Sequence, residues 1–273
     1  MSSPDPPDSL PPLRDVIAAH GLRAKKALGQ NFILDTNITD KIARQAGDLN
    51  GFSVFEIGPG PGGLTRSLIR SNAAKIIAVE FDERAVAALQ GLPKDKLEIV
   101  HGDALRLNLL PLAEAPRVIV ANLPYNIATP LLTGWLKQIR EQDDAFRSMT
   151  LMFQKEVADR IVAAPGSKIY GRLSILCQWL CDARVCFDLP PSAFTPAPKV
   201  SSSIVHFIPR AREANWPEFR ALEKVTAAAF GQRRKMIRTT LKDYAAKLDE
   251  LGIDPTLRAE NLTVQQFIEL ALD

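Results

Sequence analysis

The feature that most constrains this chain is a glycine-rich segment at residues 54–65, with the sequence VFEIGPGPGGLT. Residues 52–57 are short, apolar and β-favouring, and residues 64–69 resume with helical spacing. The glycines between them let the backbone turn sharply and approach a ligand closely. The segment therefore predicts a buried strand, a tight turn and a helix that together bind a nucleotide-like cofactor.

The identity of that cofactor stays open on this segment alone. Gly58, Gly60 and Gly63 match the dinucleotide fingerprint G-x-G-x-x-G, and Glu80 follows seventeen residues later, at the end of the next strand-like run. A nicotinamide-dependent dehydrogenase is therefore one interpretation.

Three neighbouring residues argue against a diphosphate. Pro59 and Pro61 have no N–H, so the turn lacks two donors that would otherwise hold a pyrophosphate. Glu56, directly before the turn, would repel a diphosphate and attract a cation. A cofactor without phosphate fits the segment better.

The rest of the chain predicts an α/β fold, because short apolar runs alternate with helical patterns. Two further runs, at 183–189 and 203–208, flank a proline-rich loop without a crossover helix, so they should pair antiparallel at one edge of a parallel sheet. The predicted central strands are 52–57, 75–80, 97–100, 117–121 and 149–153, and the predicted helices are 62–71, 82–91, 127–140, 154–162 and 173–181.

Composition divides the 273 residues into three parts. Residues 1–13 hold five prolines among serine and aspartate, which predicts a disordered tail. Residues 14–210 form the predicted sheet domain, and a composition break between Pro209 and Pro217 leads to an all-helical domain at 211–273.

Composition also excludes several classes of protein. No apolar run approaches membrane-spanning length and the first residues lack a signal sequence, so we expect a cytoplasmic protein that does not enter membranes. The closely spaced Cys177, Cys181 and Cys186 lie in apolar segments and are expected to be buried reduced thiols. The three histidines are scattered, and we expect no metal site.

Positive charge is concentrated near the C-terminus, although the net charge is only +3. Between Arg234 and Leu248 the apolar spacing predicts one amphipathic helix with Arg234, Arg238 and Lys242 along one edge. Such a row of cations suits a phosphate backbone, so we expect RNA binding here. The candidate RNA-binding residues are Arg233, Arg234, Lys235, Arg238 and Lys242.

The ends of the predicted strands carry the candidate site, because ligands of open α/β sheets bind beyond the carboxyl ends of the strands. Glu80 at the second strand end is suited to holding both hydroxyls of a ribose. At the third strand end, Asp103, followed by Ala104, can accept a hydrogen bond from an adenine amino group. Either carboxylate can instead cap a helix, but together with the glycine turn they favour a nucleoside site.

The fourth strand end, Asn122-Leu-Pro-Tyr125, predicts chemistry at an exocyclic amine. Such an amine is a poor nucleophile until it becomes pyramidal, which acceptors aimed at its hydrogens favour. The Asn122 side-chain oxygen and the Leu123 carbonyl can be those acceptors, Pro124 stiffens the turn, and Tyr125 offers a face for the base. The alternative is a simple strand-to-helix turn.

These motifs, in this order, resemble the ribosomal RNA adenine N6,N6-dimethyltransferase family, specifically its small-subunit (16S) branch. The resemblance covers roughly residues 23–245. It is carried by residues 26–33 (KALGQNFI), 56–65 (EIGPGPGGLT), Glu80, 102–104 (GDA), 122–126 (NLPYN), 154–156 (QKE), 170–174 (YGRLS), 194–200 (FTPAPKV) and 230–235 (FGQRRK).

The resemblance implies a Rossmann-like class I methyltransferase sheet, mostly parallel with an antiparallel edge, and a small C-terminal all-helical domain. It implies an S-adenosylmethionine-dependent enzyme that dimethylates two adjacent adenines near the 3′ end of 16S rRNA during maturation of the small subunit. We expect it to act as a monomer.

The resemblance also implies roles for individual residues. Asn31 and Ile33 would close over the cofactor, where the family usually has leucine in place of Ile33. Phe194 would stack on the target base opposite Tyr125, although it can also be a core phenylalanine. The remaining implied cofactor contacts are Gly58 and Gly60 beneath the methionine part, Glu80 at the ribose, Asp103 and Ala104 at the adenine, and Asn122 between cofactor and target amine.

Three alternatives remain open at this point. The chain could methylate large-subunit rRNA, as the antibiotic-resistance enzymes do, although residues 230–235 favour the small-subunit branch. It could act mainly as a non-catalytic assembly factor, or it could be the dehydrogenase considered above.

Overall fold

A mostly parallel sheet lies at the centre of the protein, whose computed structural model describes residues 10–22 and 30–272. The strands in these ranges are β1 Phe32–Ile33, β2 Ser53–Ile57, β3 Lys75–Glu80, β4 Leu97–His101, β5 Arg117–Ala121, β6 Ser148–Gln154, β7 Cys181–Leu189, β8 Phe194–Thr195 and β9 Ser202–Pro209. Residues 1–9 of the predicted tail and residues 26–29 of the first motif lie outside the described residues.

The strand order across the large sheet is β4-β3-β2-β5-β6-β9-β7. Neighbouring strands from β4 to β6 pair in parallel, whereas β9 pairs antiparallel with both β6 and β7. The predicted parallel sheet with an antiparallel edge is confirmed. A second, two-residue sheet joins β1 to β8 and was not predicted.

Helices flank the sheet, and no strand follows β9 in the described residues. In the described ranges they are α1 Leu13–Ala19, α2 Thr36–Gln45, α3 Gly63–Arg70, α4 Glu83–Leu89, α5 Ala128–Glu141, α6 Lys155–Ile161, α7 Arg172–Leu180, α8 Phe219–Phe230, α9 Ile237–Thr240, α10 Ala245–Glu250 and α11 Val264–Ala271. As expected for a cap, the Asp35 side chain accepts a hydrogen bond from the Asn37 N–H at the start of α2. None of the helices in the described ranges combines the length and apolar character that crossing a membrane requires.

Alternate residues of the central strands enter two hydrophobic clusters, one on each face of the sheet. Phe55 and Ile57 belong to the larger cluster, and Val54 belongs to the smaller one. The larger cluster continues into the C-terminal helices, where Trp179 of α7 stacks on Phe219 of α8 with ring centroids 6.0 Å apart. The helices after β9 are thus packed on the same core as the sheet.

The three cysteines differ in burial. Cys177 and Cys181 are buried and unbridged, as predicted, whereas Cys186 is half-buried. Burial raises the pKa of both buried thiols, which keeps them protonated.

At the end of the predicted tail, the Pro11 carbonyl accepts a hydrogen bond of 2.8 Å from Arg66, so this part of the chain contacts the fold.

The predicted continuous helix from Arg234 to Leu248 is wrong. The segment contains α9, a 3-10 turn at Lys242–Tyr244 and α10, because Leu241 and Tyr244 leave helical geometry at φ −112° and −113°. Ile237, Leu241 and Leu248 are still buried, so the apolar pattern identified the inward-facing residues correctly. The cations that were predicted to align on one helix edge are instead spread over a turn (Arg234), α9 (Arg238) and the 3-10 turn (Lys242).

Candidate active site

A cavity of about 270 Å³ opens at the carboxyl ends of β2, β3, β4 and β5. It lies where the strand order reverses between β2 and β5, which is where open α/β sheets bind ligands. Its walls include the predicted cofactor and catalytic residues Asn31, Ile33, Gly58, Gly60, Glu80, Asp103, Ala104, Asn122, Leu123, Pro124 and Tyr125. The structure therefore brings together every predicted cofactor and catalytic residue except Phe194.

The glycine turn is shaped by backbone geometry that other residues rarely adopt. Gly58, Gly60 and Gly62 have φ of +67°, +55° and +91°. The turn is also closely covered by β1: a Cβ at Gly60 would lie 2.9 Å from the Phe32 ring, and one at Gly63 would lie 2.7 Å from the Ile33 carbonyl oxygen. The turn thus forms one wall of the cavity. Residues 31–33, which include β1, pack over the turn and are called the strap.

Glu80 is fixed at the end of β3 by three backbone donors. Its Oε2 accepts from the Gly60 N–H at 3.0 Å, and its Oε1 accepts from the N–H groups of Phe81 and Asp82, each at 2.8 Å. A carboxylate has about four acceptor positions, so lone pairs remain for a ligand. Glu80 is only 6% exposed and is pre-oriented toward the cavity before any ligand binds.

Glu56 is a second carboxyl group on the cavity wall and is fully buried. Burial raises its pKa to about 8, and the nearby charge of Glu80 adds to this increase, whereas Thr65 opposes it. Within the described residues its Oε2 has no hydrogen-bond partner. A buried acceptor without a partner favours a cationic or hydrogen-bond-donating ligand at this position.

Asp103 combines two roles after β4. Its Oδ1 accepts from the Leu105 N–H at 3.0 Å, so it caps the turn that follows, and its Oδ2 lies 3.5 Å from Arg106 Nε. Residues 104–106 form a turn and not a helix, so the helix-capping role considered from the sequence is not present, and Asp103 lines the cavity beside Ala104.

Asn122 is oriented by the strap. Its Nδ2 donates a hydrogen bond of 3.1 Å to the Asn31 carbonyl oxygen. Because the amide nitrogen is engaged by the strap, the Oδ1 atom is presented as the acceptor at the other end of the amide group. The Oδ1 atom is thus the end of the amide that can accept a hydrogen bond from an amine.

Tyr125 and Phe194 occupy different environments. Tyr125 lines the cavity, and its hydroxyl forms a 2.5 Å hydrogen bond with Ser202 Oγ. Phe194 is only 4% exposed, pairs with Ile33 across the two-residue sheet and packs in the smaller hydrophobic cluster. Its stacking role stays a prediction, and that role would require the loop carrying β8 to open.

Sequence reasoning missed several residues of the site. Phe81 and Leu105 line the cavity and are 63% and 48% exposed, so they offer apolar surface for a flat ring. Phe81 could have been found, because it directly follows Glu80 at a strand end. Ser202 and the pairing of β1 with β8 gave no local signal, since their partners are distant in the sequence.

The predicted RNA-binding residues divide into two groups. Arg234, Lys235, Arg238 and Lys242 are exposed and make no ion pair within the described ranges. Arg233 instead pairs with Glu260, with Nε 3.1 Å from Oε2, and donates to two backbone carbonyls. Arg233 thus makes ionic and hydrogen-bond contacts within the protein, unlike its neighbours, although its side chain is 44% exposed.

The protein has a doubly wound sheet with an antiparallel edge and a cavity at the switch point of that sheet. The Asn-Leu-Pro-Tyr turn lies on this cavity beside a pair of carboxyl groups. Together these features define a Rossmann-like class I methyltransferase. The more specific assignment comes from comparison with known proteins. The family model for ribosomal RNA adenine dimethylase matches residues 21–272, and the chain belongs to this family.

Close relatives agree with that assignment. The ribosomal RNA small subunit methyltransferase A of Mesorhizobium japonicum is 54% identical over 96% of this chain and 98% of its own length. The protein of the same name from Rhodospirillum rubrum is 50% identical over 99% of this chain and 95% of its own. Similarity thus extends over nearly the whole length of both proteins.

Solved structures share the fold. A dimethyladenosine transferase from Plasmodium falciparum superimposes with a TM-score of 0.71 at 26% identity, covering 86% of this chain and 94% of its own. The 23S rRNA methyltransferase ErmE has a TM-score of 0.64 at 23% identity, covering 88% and 98%. The second likeness concerns the fold alone.

Proposed function

We propose that this enzyme dimethylates the N6 amines of two adjacent adenines near the 3′ end of 16S rRNA, using S-adenosylmethionine, during maturation of the small ribosomal subunit. The observation that carries the proposal is the hydrogen-bonded Asn122 amide on the wall of the cavity at the strand ends, in a chain that is 50–54% identical to small-subunit methyltransferases A. It acts in the cytoplasm as a monomer on immature small subunits.

The residues of the cavity fit the cofactor. The lone pairs that Glu80 keeps after its three backbone hydrogen bonds can accept both ribose hydroxyls. Asp103 can accept from the adenine amine, with Phe81 and Leu105 offering apolar surface to the ring. The unpartnered Oε2 of Glu56 suits the positive charge of the methionine part. When bound, S-adenosylmethionine supplies an electrophilic methyl group.

The protein contributes orientation and electrostatics to the reaction. Asn122 Oδ1 and the Leu123 carbonyl accept hydrogen bonds from the two hydrogens of the target amine, which favours the pyramidal geometry needed for attack. The Tyr125 ring supports a base that has left its helix or lies in a flexible loop. The surplus proton of the methylated amine is strongly acidic and leaves to water, so no general base is needed.

The RNA is held by the exposed cations of the C-terminal region. Arg234, Lys235, Arg238 and Lys242 can contact phosphates as they stand, because none of them has an acidic partner in the described part of the chain. The domain boundary near residue 210 remains part of this proposal.

The test is to map the methylated nucleotides. Purified enzyme and methyl-labelled S-adenosylmethionine are incubated with unmethylated small subunits in one reaction and with unmethylated large subunits in another. We expect label on two adjacent adenines of 16S rRNA, and four methyl groups per small subunit. Label confined to 23S rRNA would contradict the proposal in favour of the large-subunit enzymes, and no transfer with normal subunit binding would favour an assembly factor. Nicotinamide dinucleotide should not bind in a calorimetric titration.

A further inference from the structure

Tyr125 is held at the tip of its ring as well as at its backbone. Its backbone belongs to a turn that Pro124 stiffens, and its hydroxyl lies 2.5 Å from Ser202 Oγ, 77 residues further along the chain. Burial raises the pKa of the Tyr125 hydroxyl, although the hydrogen bond with Ser202 opposes this shift. The phenol therefore stays protonated at neutral pH, and the ring is fixed between two points.

Ser202 is attached to the sheet. It is the first residue of β9 and is fully buried, with Gln154 of β6 on one side and Leu189 of β7 on the other. The preceding Ser201 carbonyl accepts a hydrogen bond of 2.9 Å from the Lys155 N–H at the start of α6. Gln154 and Lys155 come from the sequence motif at residues 154–156, which thereby supports the position of Ser202.

Ser202 and its neighbour Ser203 face opposite sides of the sheet. Ser202 points toward Tyr125, whose ring packs against the smaller hydrophobic cluster, to which Ile204 also belongs. Ser203 is equally buried, but its hydroxyl donates to Asp188 Oδ1 at 2.7 Å. Two adjacent hydroxyls thus have separate partners, and the first lies behind a ring that lines the cavity.

The turn at residues 122–125 is therefore tied at both ends. Asn122 Nδ2 donates to the Asn31 carbonyl at one end, and the Tyr125 hydroxyl bonds to Ser202 at the other. Rotation of Tyr125 about its Cα–Cβ bond would move the ring, and with it any base that lies on the ring, relative to Asn122. A misplacement of about 1 Å in an active site can lower the rate by roughly 10²-fold.

We propose that Ser202 is a positioning residue for methyl transfer, whose hydroxyl holds the Tyr125 ring where it places the target amine at Asn122. Ser202 acts through Tyr125 and does not touch the substrate. This inference rests on the proposed function, in which the Tyr125 ring supports the base. Because Ser202 belongs to the sheet, the ring keeps its place when the loop before β9 opens to bring Phe194 to the base.

The first experiment tests the contact in the free enzyme. The chain has three tyrosines, so protein labelled with tyrosine that carries ¹³C at Cζ gives three NMR signals, and the Tyr125 signal is the one lost in Tyr125→Phe. Ser202→Ala should shift the Tyr125 signal and leave the other two in place, because the phenol carbon senses the hydrogen bond of its own hydroxyl. Ser203→Ala is the matched control and should leave all three signals unchanged.

The second experiment measures single-turnover methylation of unmethylated small subunits. Ser202→Ala should lower the rate of methyl transfer by roughly 3- to 10-fold, the amount that one neutral hydrogen bond contributes. Tyr125→Phe keeps the ring and should have the same effect, and the double variant should be no slower than either single variant. Ser203→Ala should retain the wild-type rate. Calorimetry should show wild-type affinity for S-adenosylmethionine in both serine variants.

Two variants of nearly equal shape separate the Ser202 hydroxyl from the packing around it. Ser202→Thr and Ser202→Val add similar bulk at a buried position, but only threonine keeps a hydroxyl. Whatever the added bulk costs both variants, Ser202→Thr should transfer methyl groups faster than Ser202→Val by roughly 3- to 10-fold.

Each outcome decides one point. An unchanged Tyr125 signal in Ser202→Ala would overturn the contact, and a shifted signal with a wild-type transfer rate would overturn the positioning role. Additive losses in the double variant, or equal rates for Ser202→Thr and Ser202→Val, would assign the effect to packing and overturn the proposal. Failure of the wild-type enzyme to methylate small subunits would overturn the proposed function together with this inference, whereas the tyrosine signals would still report the contact.

Discussion

The cofactor cavity and the loop at residues 165–171, beside the cationic C-terminal turn, hold their residues in place by different means. In the cavity, Glu80 is fixed by three backbone N–H groups, two of which belong to the residues that directly follow it. The loop at residues 165–171 is held in part by Arg233, whose side chain donates to the Lys168 carbonyl oxygen across 65 residues of sequence. The cavity is thus built largely from backbone geometry next to its own motifs, whereas this loop is held by contacts with distant segments, which also include the Gly166–Glu260 backbone hydrogen bond and the Tyr170–Phe230 ring contact.

This difference has consequences for mutational tolerance. A site made of tightly packed backbone has no room to adjust, so small changes should affect both stability and activity. At a surface of solvated cations, each removed charge should lower the affinity for RNA by a small and nearly equal amount. The following predictions test whether the two regions differ in this way.

The largest effect is expected at Asn122. Asn122→Ala removes the acceptor at the target amine and should lower kcat for methylation by about 10²- to 10³-fold, the cost of losing one preorganised hydrogen-bonding group in an active site. Affinity for S-adenosylmethionine should fall less, by roughly 3- to 10-fold. Asn50→Ala, at an exposed asparagine outside the cavity, is the control and should retain the wild-type rate. Unchanged turnover in Asn122→Ala would refute the assigned role.

Gly63→Ala should show how tightly the strap covers the turn. The new Cβ would lie 2.7 Å from the Ile33 carbonyl oxygen, so backbone must move, and we expect a loss of about 1–3 kcal/mol in the free energy of unfolding. Gly134→Ala is the matched control, because Gly134 lies in α5 with no atom within 4 Å of its added Cβ, and it should gain roughly 0.5–1 kcal/mol. Equal urea midpoints for the two variants would contradict the close packing.

Glu56 should make the stability of the free enzyme depend on pH. Its folded-state pKa of about 8 lies above the ordinary value of 4.5, so the folded state binds the proton more tightly than the unfolded state does. Its contribution is fully present below pH 4.5 and is lost as pH rises through 8, with a limiting slope of about 1.4 kcal/mol per pH unit. Glu56→Gln should remove this slope from urea titrations, whereas Glu98→Gln, at an exposed carboxylate, should keep it.

A bound cationic cofactor should lower the pKa of Glu56, because a nearby positive charge favours the ionised carboxylate. Binding of S-adenosylmethionine near pH 7 should therefore release a proton, measurable by calorimetry in buffers of different ionisation enthalpy. An equal heat in all buffers would remove Glu56 from the binding site.

The smallest effect is expected at Lys242, an exposed cation between the two short helices. Lys242→Gln should change the free energy of unfolding by less than about 0.5 kcal/mol. The salt slope for small-subunit binding should become shallower by roughly 0.7 to 0.9 if this lysine contacts one phosphate. A large loss of stability in this variant would contradict the expected difference in mutational tolerance between the exposed cations and the tightly packed cavity.

Sequence patterns located the cofactor cavity well, because each of its motifs follows directly from a strand. The carboxyl ends of parallel strands meet at one edge, so recognising four strands was sufficient to bring Glu80, Asp103 and Asn122 together. The same approach failed for the segment from Arg234 to Leu248, where apolar spacing identified the buried residues but not the breaks at Leu241 and Tyr244.

By itself the sequence determined the sheet, its antiparallel edge, the glycine turn and the residues around the cavity, since these depend on local periodicity and on strand ends. Only the tertiary structure decided the orientation of Asn122, the burial of Phe194 and the internal use of Arg233. The partners of Asn122 and Arg233 lie 91 residues and 27 to 65 residues away in the sequence. A hydrogen bond over such separations depends on how the elements pack, and no local pattern encodes it.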